Sequence, residues 1–142
     1  MKQYLFRNDY SFGAHPRVLE ALAATNLEGN IGYGDDAYCD RAAALIRDLC
    51  RCPQAEVQFL IGGTQVNFTA IAAFLRPWEG VICAATAHVN GHEGGAVEAT
   101  GHKLINIPVG RDGKLPPEAV AAAVKEYESP HVVRPGLVYI SQ

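Results

Sequence analysis

Residues 61–67, Ile-Gly-Gly-Thr-Gln-Val-Asn, put two glycines and a threonine where an apolar run gives way at once to a helical pattern. The first N–H groups of a helix have no intrahelical partners and carry a partial positive charge, so an anion placed there gains hydrogen bonds and attraction. Gly62 and Gly63 let the backbone approach a phosphate closely, and the Thr64 hydroxyl adds a donor. A plainer reading of the same residues is a glycine turn with Thr64 as helix cap. Neither GxxxxGK[ST] nor GxGxxG occurs, so a nucleotide is not specifically signalled. Further on, residues 86–95 read TAHVNGHEGG. His88 can exchange a proton near neutral pH. His88 and His92, followed by Glu93, have a spacing that could bind a metal on a helix. Asn90 and Gly91 weaken helix between them and HExxH is absent, so no metal site is assigned.

These residues need elements to hold them. Pro16 suits the first turn of a helix, and Val18, Leu19 and Leu22 line one side of it to about Asn26. Residues 26–36 are a glycine- and asparagine-rich loop, with Asp35 or Asp36 able to cap the next helix. There Ala42, Leu45, Ile46 and Leu49 form a stripe expected to be buried, and Pro53 is expected to end the helix. Val57–Ile61 reads as a strand, and Phe68, Ile71, Ala72 and Leu75 as the inner face of a helix stopping before Pro77. Residues 81–85, 104–107 and 137–140 read as three more strands. A glycine-rich stretch at 91–101 has room for a short helix, and Pro116-Pro117-Glu118 opens a helix with Val120, Ala123, Val124 and Tyr127 facing inward. Apolar strands alternating with helices predict an α/β fold, mostly parallel, with helices on both faces of the sheet. Ligands of such sheets gather beyond the carboxyl ends of the strands. The strands ending at Ile61 and Ala85 would then bring Gly63-Thr64 and His88 to one edge. The apolar strand at the end of the chain is uncovered, which points to truncation or to a completing partner.

Composition narrows the function classes. With 49% hydrophobic and 19% charged residues among 142, the chain has the profile of one soluble globular domain. Twelve Lys+Arg against fifteen Asp+Glu give a net charge of −3, without the basic stripe a nucleic-acid partner requires. The N-terminal residues lack a signal-peptide core and no run of apolar residues is long enough to span a membrane, so a cytoplasmic location is expected. Cys39, Cys50, Cys52 and Cys83 are read as free and mostly buried thiols. His15, His102 and His131 carry no functional assignment; the last two are read as surface or turn residues.

Four stretches, in order and at matching intervals, resemble the threonine aldolase branch of the aromatic amino acid β-eliminating lyase family. They are FRNDYSFGAHPRVLEAL (6–22), YGDD (33–36), FLIGGTQVN (59–67) and AHVNGHEGGA (87–96). The resemblance implies a pyridoxal-phosphate enzyme of the aspartate-aminotransferase fold. Residues 1–142 would be the N-terminal part of its large domain, with a helix and active-site loop over 1–36 and alternating helix and strand over 37–142. It implies that Gly63 and Thr64, with Gly62 beside them, hold the cofactor phosphate. His88 would stack on the pyridine ring, with proton transfer as a second role for it. Asn8, Asp9, Tyr33 and Glu93 would line the substrate side, and Tyr33 would reach a site shared between subunits of a homo-oligomer, a dimer or a tetramer.

The implied reaction cleaves β-hydroxy-α-amino acids to glycine and an aldehyde. A β-eliminating lyase or an aminotransferase of the same fold, or a non-catalytic phosphate-binding fragment, are the alternatives. The family anchors its cofactor on a lysine in a Ser-Lys-Gly context. Lys2, Lys103, Lys114 and Lys125 are the chain's lysines and none has it. The 142-residue chain alone is therefore expected to be inactive and to bind the cofactor weakly and non-covalently.

Overall fold

The computed structural model describes residues 4–8 and 10–141. They fall into two compact units, Met1–Phe59 and Leu60–Gln142.

The first unit is helical. Helix α1, Pro16–Thr25, starts on His15, whose Nδ1 accepts the Arg17 N–H at 3.2 Å, with proline in its first turn. Helix α2, Ala37–Leu49, is capped by Asp36: one carboxylate oxygen accepts the N–H groups of Tyr38 and Cys39 at 2.9 and 3.0 Å. Its C-terminus is closed not by Pro53 but by Arg51, held at φ 52°. The Cys52 N–H then returns to the Arg47 carbonyl at 2.9 Å, the left-handed stop that glycine usually supplies. The expected buried stripe is also corrected. Leu45 and Leu49 are exposed, and Ala43 is the buried residue of α2. Periodicity reports which face favours cover, and burial follows only where another element supplies it.

Backbone N–H bonds, the one to Cys39 foremost, hold the Asp36 carboxyl below its ordinary value. A carboxylate depressed in the folded state stabilises above its unfolded pKa, and that support is lost as pH falls through the lower folded value. Acidification from about pH 4 downward is thus expected to melt α2 progressively, read as loss of helical circular dichroism. Asp36→Asn, a cap that does not titrate, is expected to keep the helix and flatten that profile.

The second unit is an α/β layer structure. Strands β1 (Glu79–Ala84), β2 (Leu104–Ile107) and β3 (Arg134–Tyr139) form a wholly parallel sheet in the order β2-β1-β3. Val81 pairs with Leu104 on one side of β1 and Leu137 on the other. Between Gly80 and Val81 the β1–β3 register slips by one residue, a bulge that accommodates Pro135 and Gly136. Helix α3, Gly63–Phe74, lays Ile71 and Leu75 against Val81, Cys83 and Leu104 on one face. Helix α5, Pro117–Glu126, lays Ala123 against Ile82, Ile105 and Ile107 on the other. Between them runs a short helical turn α4, His88–Gly91, followed by a 3₁₀ turn at Glu98–Thr100. The alternation of Val81 and Cys83 with Ile82 accounts for both cores, since neighbouring strand residues point to opposite faces.

Three expectations change here. Val57–Ile61 is no strand: it has no ladder partner among the described residues, and a strand is defined by its backbone bonds as much as by its apolarity. His102 is not a surface residue but 6% exposed, its Nδ1–H donating to the Glu79 carbonyl at 2.9 Å and tying the approach to β2 to the start of β1. Of the four free cysteines only Cys83 is buried, and burial there pushes its thiol up to about 11, so it stays protonated and inert at neutral pH. No helix among the described residues is long and apolar enough to cross a membrane.

Candidate functional site

The start of α3 is open. Gly62 occupies the cap position in extended backbone, Gly63 opens the helix, and no side chain caps it. Thr64 therefore lies inside the first turn, and the capping role allowed for it is not the one it has. The residue that does close the entry is Gln65, whose Oε1 accepts the Ile61 N–H at 3.0 Å. A Cβ placed on Gly62 or Gly63 would meet no atom within 4 Å. The leading N–H groups of α3 have no acceptor among the described residues, and a threonine stands in the same turn, a donor set that fits a phosphate.

Three residues on from Thr64, on the same side of the helix, stands Asn67. Its Nδ2 donates to Oε1 of Glu93 at 2.5 Å, and the same oxygen pairs with Nδ1 of His88 at 2.7 Å. The Glu93 side chain is wholly buried, while that of His88 is 54% exposed. The geometry therefore connects α3 to the segment leaving β1 through one carboxyl group. The other oxygen, Oε2, is buried without a partner among the described residues, an acceptor still open. Tyr139, at the end of β3, completes the neighbourhood. Burial pushes its phenol up, the Glu93 charge adds to this, and the nearby Asn67 amide works in the opposite direction.

The loop that presents His88 is braced from beneath. Asn90 Nδ2 donates to the Ala85 carbonyl at 2.7 Å, Asn106 Nδ2 to Asn90 Oδ1 at 2.9 Å, and the Cys83 thiol to Asn106 Oδ1 at 3.1 Å. Side chains from β1, β2 and α4 thereby fix the chain just ahead of Glu93. Gly94 and Gly95 follow with φ of 60° and 77°, a left-handed pair that turns the backbone away after the carboxylate.

Of the residues singled out in the sequence, His88 and Glu93 meet directly, and Gly62, Gly63 and Thr64 join them through α3 and Asn67. Asn8 and Tyr33 belong to the first unit. There Asn8 Oδ1 accepts from the Tyr10 N–H at 3.2 Å and the Ser11 hydroxyl at 2.7 Å. Tyr33 is fully exposed at φ 67°, a conformation few residues other than glycine adopt. Asp9 lies outside the described residues. Asn67, Asn90, Asn106 and Tyr139 carry structure at this site that the sequence reading did not assign. For Asn67 the signal was its helical spacing from Thr64; for the others there was none short of the sheet register.

The described lysines are engaged elsewhere. Lys103 Nζ lies 5.6 Å from the Tyr127 ring on the α5 side of the sheet, Lys114 pairs with Asp112 at 3.3 Å, and Lys125 is exposed on α5.

Comparison with known proteins gives the family and the fold. The model of the beta-eliminating lyase family matches residues 6–142. Low specificity L-threonine aldolases of Pseudomonas aeruginosa and of a further Pseudomonas strain are 33% and 32% identical over 139 residues, 96% of this chain. A solved threonine aldolase structure from Leishmania major matches 95% of the chain at 47% identity with a TM-score of 0.91. The chain spans about 40% of the length of these relatives. With a family model matched along almost its whole length, the chain belongs to the beta-eliminating lyase family.

Proposed function

We propose that this chain supplies the phosphate-holding and ring-facing side of a pyridoxal-phosphate-dependent lyase site that cleaves β-hydroxy-α-amino acids to glycine and an aldehyde. The observation that carries the reading is the Asn67–Glu93–His88 connection, which ties an open helix N-terminus to a half-exposed imidazole. Pyridoxal phosphate, when bound, supplies an electron sink for the negative charge left at Cα. The chain's residues do the rest of what is assigned here. The N–H groups at the start of α3 and the Thr64 hydroxyl hold the phosphate. The His88 ring would face the cofactor, and its Nε2, left over while Nδ1 is engaged with Glu93, would take the proton of the β-hydroxyl. Asn8, Asp9 and Tyr33 are assigned to the substrate side. The reading extends to a homo-oligomer, supported by the outward-held Tyr33 ring, and to a cytoplasmic enzyme, supported by four free thiols.

Two measurements test it. Equilibrium dialysis of the 142-residue chain against pyridoxal phosphate is expected to give weak, fully reversible binding without a dialysis-resistant visible band, since no lysine among the described residues stands at the site. Thr64→Ala is expected to weaken that binding by about 10- to 100-fold, the loss of one hydrogen bond to a charged group worth about 1.5–3 kcal/mol. Unchanged affinity in Thr64→Ala removes the phosphate assignment, and glycine release by the unmodified chain removes the expected inactivity.

A further inference from the structure

We infer that Asn67 is a positioning residue that acts through Glu93 to hold His88 in its Nδ1–H tautomer, so that Nε2 faces outward unprotonated. The inference rests on the proposed function only in naming that nitrogen a proton acceptor; the tautomer itself is a property of this chain.

The buried carboxyl group of Glu93 turns a single oxygen to both neighbours. An amide Nδ2 can only donate, so the Asn67 contact fixes Oε1 as an acceptor. An ionised carboxylate has no proton to offer, and the 2.7 Å approach of His88 Nδ1 to that oxygen is then a donation from the ring. With Nδ1 carrying the proton, neutral imidazole has its lone pair on Nε2, at the exposed side of a ring whose partner is wholly buried. Freed from Asn67, the Glu93 side chain has several rotamers open to it and one hydrogen bond fewer to select among them. Ring orientation and tautomer both lose their reference. No hydrogen bond joins Asn67 to His88 directly among the described residues, so the hydrogen-bonded path from one to the other runs through the carboxyl group. The distance from Thr64 to Asn67 is one helical turn, which makes the phosphate-holding segment and the imidazole parts of one rigid arrangement.

The experiment is a long-range ¹⁵N–¹H correlation spectrum of the imidazole rings in the 142-residue chain, recorded without cofactor at a pH where His88 is neutral and assigned by the loss of its signals in His88→Asn. Wild type is expected to show His88 as the Nδ1–H form alone. In Asn67→Ala the Nε2–H form is expected to rise from undetectable to about half or more of the population. Glu93→Ala is expected to give the same mixture, and adding Asn67→Ala to it is expected to change nothing further, because the path is already cut. Asn67→Ser, whose shorter hydroxyl falls away from Oε1, repeats the test if the alanine variant does not fold. A pure Nδ1–H signal in a folded Asn67 variant overturns the positioning role. An Nε2–H signal in wild type overturns the whole relay, as does an effect of residue 67 that persists in the Glu93→Ala background. Failure of the complete enzyme to use vitamin B6 leaves all of these signals where they are, so the two readings fail separately.

Discussion

His88→Phe is expected to leave pyridoxal-phosphate affinity near wild type and to reduce turnover by about 10²- to 10⁴-fold, the range that a positioned general base contributes. The assay uses a polypeptide that carries residues 1–142 together with the remaining length its relatives have. Phenylalanine keeps a flat ring able to stack and removes both nitrogens. Only Nε2 is at stake for proton transfer, because Nδ1 is already committed to Glu93 at 2.7 Å. His88→Asn is the complementary change: it retains a donor for Glu93 and loses the ring, so affinity is expected to fall with turnover. Full turnover in His88→Phe means that stacking accounts for the residue and that the base lies elsewhere. Collapse of affinity in His88→Phe, with the fold intact by circular dichroism, means that the imidazole holds the Glu93 carboxylate rather than the cofactor.

The sequence made some of this legible and withheld the rest for physical reasons. Helices α1, α2, α3 and α5 and strands β1, β2 and β3 fall close to where period and punctuation put them, because proline at a first turn, an aspartate cap and short apolar runs act locally. Val57–Ile61 has the same apolar signature as β1 but no ladder, since pairing is a non-local property that one segment cannot carry alone. The stripe of Leu45 and Leu49 misled for a related reason: amphipathicity states a preference, and cover must come from other elements. Of the residues assigned to the candidate site, His88 and Glu93 were singled out by motif and order, and the structure brings them together. Asn67 and His102 were not, being polar residues whose partners are 26 and 23 positions away. Their meaning lies in the sheet register, which brings residues 79 and 102 together and carries residue 93 to α3.

Gly80→Ala is expected to cost about 3 kcal/mol or more, at or beyond the upper end of ordinary overpacking, read as a lower denaturant midpoint with an unchanged m-value. The added Cβ would stand 2.7 Å from the Lys103 carbonyl oxygen and 2.7 Å from Val133 Cγ1. The carbonyl cannot yield cheaply: it accepts the Val81 N–H at 2.9 Å, a bond of the β1–β2 ladder, and the preceding His102 is anchored to Glu79. Val133 is stiff at χ1 and packs against the α5-side core. Gly136→Ala is the control, since its new Cβ would also meet an atom at 2.7 Å, but that atom is Cδ2 at the tip of Leu75. Rotation of Leu75 relieves the closest contact and leaves Glu79 Cβ and Cδ at 3.1 Å, so a loss of about 1–2 kcal/mol, smaller than at Gly80, is expected. Equal losses in the two variants would show that the rigid carbonyl is not what limits Gly80. The larger loss is also expected to weaken the Asn67–Glu93 contact, because β1 carries the chain directly into residues 85–93 and so sets where Glu93 meets α3.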